Sequence, residues 1–183
     1  MAGRDFLDHV TDLWRSERPE LDTAPCAVLD RLLRVSQLVA KRAEAVCREY
    51  GLSFWGFAVL TALRRAGPPY RLAPTALYRS GMVTSGAVTK RVDELERDGL
   101  VRRVADPDDG RSVLVQLTPK GRRLIDRAVP AYIGMQRQAL TTLAPAEQRQ
   151  LASSLRTLLL ELEGPVAPER SRGATTARSA AAR

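Results

Sequence analysis

Apolar residues recur every three or four positions along most of the chain, a spacing typical of helices with one buried face. The first such stretch predicts a short helix over residues 4–15, and a connector with two prolines follows from Ser16 to Pro25. A second stretch predicts a long helix from about Ala27 to Tyr50, ending at Gly51, where a left-handed cap is expected. The apolar faces of these two helices consist of Phe6, Val10 and Trp14, and of Val28, Leu29, Leu32, Leu33, Val35, Leu38, Val39 and Val46.

Three shorter helices are predicted in the middle of the chain. The first ends near Ala66, the second near Ser80 and the third at Asp98, each next to a glycine. The residues that mark their first turns are Ser53, Pro74, and Thr84 or Ser85. Trp55 and Phe57, in the first of these helices, are predicted to lie in the core or to line a pocket.

A β-rich segment follows the third short helix. Residues 100–104 and 112–117 flank the turn sequence DPDDG and predict a β-hairpin. Thr118-Pro119 then begins a helix of about 23 residues, and Pro145 begins a last helix that ends near Glu163. Short helices followed by a hairpin, framed by long helices, are typical of a winged helix-turn-helix. We therefore predict a mainly α fold with a small β-hairpin wing.

Composition and charge narrow the possible functions. The chain of 183 residues is 44% hydrophobic but has no long apolar run, so no transmembrane helix is expected. Its first ten residues carry charges where a signal peptide is apolar, which indicates a cytoplasmic protein without a membrane partner. The net charge of +8 favours a polyanion such as DNA, and hence a nucleoid-associated location. The positive charge comes mostly from Arg rather than Lys, a preference that can equally reflect a GC-rich genome instead of DNA binding.

Part of the positive charge belongs to the end of the chain. Residues 164–183 hold four Arg and one Glu, which gives a net charge of +3, and they contain almost no large apolar residues. Such a composition cannot form a packed core, so a disordered basic tail is expected.

Few residues could support catalysis or metal binding. Two cysteines and one histidine are too few for a zinc cluster, and we find no Ser-His-Asp set or glycine-rich phosphate loop. We therefore expect neither an enzyme nor a bound cofactor. His9 is expected at the surface and Cys47 in the core, whereas Cys26 lies near a helix N-terminus, where thiols are generally more reactive. A thiol-based redox switch stays open as an alternative.

The predicted helix that ends at Asp98 has a surface suited to the major groove of DNA. On a helical wheel the core-facing residues are Val88, Val92 and Leu95, and the opposite side carries Gly86, Lys90, Asp93 and Arg97, with Ser85 and Thr89 at its edge. The N-terminal half of this outer surface is small, polar and basic, so it can reach base edges and phosphates. A solvated surface helix would show the same pattern.

The hairpin tip, however, adds Arg111, which suits the minor groove, with Asp109 placed to orient its guanidinium. The predicted DNA-binding residues are Thr84, Ser85, Gly86, Thr89, Lys90, Asp109 and Arg111.

The segment from Leu77 to Gly121 contains TSGAVTKRVDELERDGLVRR, DPDDGRS and QLTPKGR, and it resembles the MarR family of transcriptional regulators. The resemblance covers about residues 27–163. It implies an obligate-type, triangular homodimer in which the first and last helices of both chains interlock, bound to a short inverted repeat in double-stranded DNA. The implied organisation is an added helix and connector (1–24), a helical dimerisation region (25–51 and 119–163), a winged helix-turn-helix DNA-binding domain (52–118) and the tail (164–183).

The N-terminal helix, RPELD at residues 18–22 and RRAGPPYRL at residues 64–72 resemble the PecS/TamR-like branch of the family. This resemblance implies a response to urate, or to aconitate and citrate. In urate-binding members a Trp, an Asp and two Arg form the anion site. The corresponding positions in this chain are Trp14, Ala58, Arg91 and Arg103. Because the Ala58 methyl cannot accept hydrogen bonds from a purine, we expect a ligand other than urate, such as an organic acid held by two guanidiniums.

The expected function is that of a repressor whose dimer leaves DNA when a small anionic or aromatic carboxylate binds at these residues. Trp14 can instead be a hydrophobic anchor for the added helix, and Arg91 or Arg103 can instead bind DNA phosphate. A constitutive or architectural DNA-binding protein without a ligand is therefore the main alternative.

Overall fold

The computed structural model describes residues 3–79, 88–107, 109, 110 and 112–164, and of residues 78, 79, 88 and 89 only the backbone. Residues up to Ala139 and residues from Leu140 onward form two separate units. The elements, in chain order, are α1 (Phe6–Glu17), α2 (Ala24–Glu49), α3 (Phe54–Arg65), β1 (Arg71–Leu72), α4 (Pro74–Arg79), α5 (Val88–Arg97), β2 (Val101–Ala105), β3 (Val113–Leu117), α6 (Pro119–Ala139) and α7 (Pro145–Glu163). The prediction of a mainly α fold with a small β wing is confirmed. No helix among the described residues is long and apolar enough to span a membrane.

Local signals place most helix ends where the sequence predicts them. The Ser53 side chain accepts a hydrogen bond from Gly56 N at 3.0 Å and so caps α3. Gly51 and Gly99 have φ of 69°, a left-handed conformation that ends the preceding helices. The start of α2 differs from the prediction, because the helix begins at Ala24 rather than near residue 27. Its Pro25 lies in the first turn, where the absence of an N–H costs nothing, and so belongs to the helix instead of the connector.

The sheet has three antiparallel strands in the order β1-β3-β2. Strands β2 and β3 form the predicted hairpin, with Arg103 opposite Val115. Strand β1 was not predicted, and it pairs with the outer edge of β3 through Arg71 and Gln116. The wing is therefore tied at its base to the segment between α3 and α4, which restricts how it can move relative to the helices.

The core of the first unit forms around α3. The largest fully buried side chains come from α2, α3, α4, α6 and both hairpin strands, and they include Cys47, Leu60, Leu63, Leu77, Val101, Val115 and Ile125. Trp55 and Phe57 are also buried, as predicted, and Phe57 packs on Tyr132 of α6 with the two ring centroids 4.7 Å apart. This core therefore supports α5 and the hairpin strands from one side.

Helix α1 is held on α2 by ion pairs. Arg31 Nε lies 2.8 Å from Asp5 Oδ2, and Arg31 Nη2 lies 2.6 Å from Asp8 Oδ1. The hydrogen bond from Arg31 lowers the pKa of Asp5, which is also the N-cap of α1. The apolar face predicted for α1 is largely exposed, because Phe6 and Trp14 keep 75% and 50% of their surface accessible in the single chain.

Candidate DNA interface and effector pocket

Helix α5 presents the surface that the helical wheel predicted. Val92 and Leu95 are buried in the core, whereas Lys90, Asp93 and Arg97 are exposed. Thr84, Ser85 and Gly86, predicted to read DNA, lie outside the described residues, as does Arg111, and of Thr89 only the backbone is described. Among the predicted base-reading residues, Lys90 is therefore the one whose exposed position on α5 is established.

The turn of the wing is closed by hydrogen bonds on either side of its tip. Asp106 N donates to Ser112 O at 2.9 Å, and Ser112 N donates to Asp109 O at 2.8 Å. The Ser112 hydroxyl also donates to Asp109 Oδ2 at 2.7 Å. The Asp109 carboxylate thus holds the turn together from within, a structural contact that the sequence pattern did not predict.

Arg103 of β2 connects the wing to α5. Its Nη2 lies 2.6 Å from Asp93 Oδ1, and its Nη1 also binds the Glu96 carboxylate. The backbone N–H of Arg103 donates to Glu96 Oε1 at 2.8 Å. The hydrogen bonds that its guanidinium donates to Asp93 and Glu96 raise the pKa of Arg103, so the side chain stays charged. In this structure, the residue predicted to bind an effector is thus already paired with two carboxylates of the helix predicted to read DNA.

Arg91, the other predicted guanidinium, packs on an aromatic ring. Its guanidinium carbon lies 5.4 Å from the centre of the Trp55 ring, which is within cation–π distance. Trp55 is 6% exposed, and its indole Nε1 has no hydrogen-bond partner among the described residues. Ala58 lies one turn further along α3 and is partly exposed. The structure therefore joins Arg91 to Trp55, a contact between α5 and α3 that the sequence pattern did not predict.

Trp14 is not part of this arrangement in the single chain. The indole lies on α1, is half exposed, and makes no hydrogen bond, ring contact or cation–π contact within the described part of the chain. The structure thus does not bring the four predicted effector residues into one cluster. Arg91 contacts Trp55, and Arg103 binds Asp93 and Glu96. In the described part of the chain, neither Trp14 nor Ala58 forms such a contact with either guanidinium.

The two thiols differ in exposure. Cys47 is 1% exposed, and burial raises its pKa to about 11, so the thiol is protonated at neutral pH and poorly reactive. Cys26 is exposed in the first turn of α2. Neither forms a disulfide in this structure.

Comparison with known proteins identifies the family. Residues 50–112 match the MarR family. The transcriptional regulator PecS of Dickeya dadantii is 36% identical over 155 residues, which cover 85% of this chain and 93% of PecS. Sco3205 of Streptomyces coelicolor, a MarR-family regulator solved in complex with DNA, superposes with a TM-score of 0.70 at 25% identity, covering 78% of this chain and 90% of Sco3205. BpsR of Bordetella bronchiseptica, solved to explain how 6-hydroxynicotinic acid regulates its DNA binding, gives a TM-score of 0.64 at 27% identity, covering 72% of this chain and 91% of BpsR. The chain belongs to the MarR family of transcriptional regulators.

Proposed function

We propose that the protein is a homodimeric repressor that binds an inverted repeat in duplex DNA and is released by a small anionic or aromatic carboxylate. The observation that carries this proposal is the pairing of Arg103 with Asp93 and Glu96. It couples the helix and the wing, the two elements that would enter adjacent grooves, so that they act as one unit. A ligand that disturbs this pairing would change both DNA contacts at once.

In this proposal the N-terminal half of α5 and the preceding residues read the major groove, and the wing enters the minor groove. Lys90 is exposed on α5 and can reach phosphates or base edges. Arg111 is at the tip of the wing sequence, between the hydrogen-bonded residues Asp109 and Ser112. The proposed DNA-binding set is Thr84, Ser85, Gly86, Thr89, Lys90, Asp109 and Arg111.

The exposed apolar surface supports a homodimer. Large hydrophobic side chains are exposed along the first half of α2 and, in the second unit, along α7, and they include Val28, Leu29, Leu33, Val35, Leu159, Leu160 and Leu162. Exposed apolar surface of this extent on a helix is typical of an interaction site. We propose residues 25–51 and 119–163 as the dimerisation region, residues 52–118 as the DNA-binding domain, residues 1–24 as an added helix and connector, and residues 164–183 as a basic tail. Two copies would then place their α5 helices about one turn of DNA, ~34 Å, apart.

The proposed effector site lies between α3, α5 and the wing. Arg91 over Trp55 offers a cation and an aromatic surface, to which Ala58 adds a small apolar neighbour one turn along α3. An incoming carboxylate can compete with Asp93 and Glu96 for Arg103 by bidentate pairing. Trp14 would join the site if α1 of either protomer covers it. An aromatic acid fits this combination, and BpsR is regulated by such a compound.

The DNA-binding proposal predicts that Arg111→Ala strongly weakens binding to the DNA upstream of the regulator's own gene. A minor-groove arginine contributes a desolvated charge contact, so we expect affinity to fall at least about tenfold, corresponding to ~1.4 kcal/mol. Gel shifts on the upstream DNA and on a random duplex of equal length measure both affinity and specificity. Arg15→Gln, an exposed change on α1 outside the proposed dimerisation region, serves as the control for loss of one charge. Equal affinity for both duplexes would exclude a sequence-specific regulator, and full affinity of Arg111→Ala would exclude the wing contact.

The effector proposal predicts that an aromatic or multiply charged carboxylate raises the melting temperature of the protein, and that Trp14→Ala or Arg91→Ala abolishes the shift. A ligand that binds only the folded state stabilises it in proportion to the logarithm of its concentration. A thermal-shift screen of urate, citrate, aconitate and aromatic acids measures this effect, with Arg97→Ala as the matched control on α5. A shift that survives both substitutions would place the site elsewhere. Intact DNA binding without any stabilising acid would favour a constitutive DNA-binding protein.

A further inference from the structure

A second cleft lies at the base of the wing, outside the sites described above. It is bounded by the outer face of the sheet, the segment before β1 and the first turns of α6, and its volume is about 550 Å³. This volume is within the range of small-molecule sites. The polar and aromatic residues that line it are Tyr70, Arg102, Gln116, Arg122, Arg123 and Asp126.

The cleft has an excess of positive charge. Three guanidiniums face one carboxylate, Asp126, and that carboxylate already accepts a hydrogen bond from Arg64 Nε at 2.7 Å, outside the lining. Arg122 Nε lies 3.7 Å from Asp126 Oδ2, a long and weak pairing. In the part of the chain that the structure describes, neither Arg102 nor Arg123 forms an ion pair. Uncompensated charges in a concave site concentrate the field and attract anions.

The walls of the cleft are held in place before any ligand binds. The Gln116 side-chain oxygen accepts hydrogen bonds from Arg102 Nε and Nη2 at 3.1 and 2.9 Å, and Gln116 Nε2 donates to Pro69 O at 3.0 Å. The Tyr70 ring is contacted by the guanidiniums of Arg64 and Arg122, whose central carbons lie 5.2 and 5.0 Å from its centroid. Tyr70 has φ of 59°, which is rare for an aromatic residue and is common at ligand clamps.

We propose that this cleft binds a compact, multiply charged anion of the phosphate-ester or pyrophosphate class. A phosphate group offers three acceptor oxygens and up to two charges, so it can pair with several converging guanidiniums at once. A single carboxylate has two oxygens and pairs fully with only one guanidinium. The cleft therefore constitutes an anion site separate from the one proposed at Trp55, and it is independent of the repressor function proposed above.

The position of the cleft favours a free anion over the DNA backbone. Lys120, in the first turn of α6, donates to Asp98 O at 2.7 Å, which places the start of α6 at the C-terminal end of α5. The ten residues of α5 separate this end from the proposed DNA-reading end by ~15 Å. The cleft lies at the other end of the hairpin from the wing tip, and the five residues of β2 span a similar ~16 Å. Both proposed DNA contacts are therefore distant from the cleft.

Isothermal titration with pyrophosphate tests the proposal on the full chain. We expect saturable binding of one pyrophosphate per chain at constant ionic strength, and a dissociation constant at least roughly tenfold weaker in Arg102→Gln, Arg122→Gln and Arg123→Gln, since each removes a charged hydrogen-bond donor. Arg15→Gln removes the same charge from an exposed site on α1, outside the cleft and the proposed dimerisation region, and should bind like the unmodified protein. Because Arg122 also contacts Tyr70 and Asp126, the melting temperature of each variant is measured without ligand. If Arg122→Gln has a lower melting temperature, only the binding results of Arg102→Gln and Arg123→Gln are used to judge the proposal.

Three outcomes would overturn the proposal. Absence of saturable binding at millimolar pyrophosphate would show that the cleft is empty in solution. Equal weakening by Arg15→Gln would mean that the chain attracts anions through its net charge alone. A larger loss of operator affinity in the cleft variants than in Arg15→Gln, measured without pyrophosphate, would assign the cleft to the DNA backbone. Since operator binding is measured separately, failure of the anion site is distinguishable from failure of the repressor proposal.

Discussion

Replacing Gly121 by alanine is expected to lower the free energy of unfolding by at least about 3 kcal/mol, the upper end of the usual cost of overpacking. A Cβ atom at this position would lie 2.1 Å from the carbonyl oxygen of Leu100 and 2.9 Å from its carbonyl carbon. Both are backbone atoms, so no side chain can rotate away. Leu100 O is also fixed by hydrogen bonds from Thr118 N and Thr118 Oγ1, each 3.1 Å long. The substitution must therefore push α6 away from the start of β2, which would open the core beneath it.

Urea unfolding measures this loss, and α6 contains its own control. A Cβ at Gly134 meets no atom within 4 Å, so Gly134→Ala should stabilise the helix by roughly 0.5–1 kcal/mol. Protein concentration is held equal for both variants, because a dimer is stabilised by mass action. A loss below about 1 kcal/mol in Gly121→Ala would show that α6 and β2 can separate at little cost, and would contradict the close packing of the LTPKG segment against the strand.

The sequence predicts those features of the fold that depend on neighbouring residues. Helix α7 has the predicted limits, Pro145 and Glu163, because a proline in the first turn and a glycine after the last are local signals. The cap at Ser53 and the left-handed Gly51 are predicted for the same reason. The exposed and buried sides of α5 follow from helical periodicity alone, since one face of that helix must cover the core.

Features that depend on distant residues could not be predicted in this way. Strand β1 has two residues, too few for an alternating pattern, and it is a strand only because β3 presents a free edge. The pairing of Arg31 with Asp5 requires α1 to fold back on α2, and the contact of Arg91 with Trp55 requires the packing of α5 near α3. For the same reason the sequence predicted Arg103 as a ligand-binding residue without revealing the two carboxylates that bind it.

The second large expected effect is the dependence of DNA affinity on salt. A dimer that makes about 6–10 phosphate contacts should lose roughly 10³–10⁵ in affinity between 50 and 200 mM salt, because each contact releases a counterion from the duplex. The chain has a net charge of +8, of which residues 164–183 contribute +3 through four Arg and one Glu. The salt dependence can therefore arise from the winged helix, from the tail, or from both.

A chain ending at Gly164 separates these sources, since it keeps every described element and removes the +3 segment. For each phosphate contact that the tail supplies, its removal would make the negative slope of log affinity against log salt shallower by about 0.9. If the winged helix makes the specific contacts, the shortened chain should keep its preference for operator over random DNA and a steep slope, whereas Arg111→Ala should reduce both affinity and slope. Fluorescence anisotropy at four salt concentrations, on operator and on random DNA, measures the affinity, the sequence preference and the salt slope. A shortened chain with no salt dependence would assign the electrostatic binding to the tail and contradict the phosphate contacts proposed for α5 and the wing.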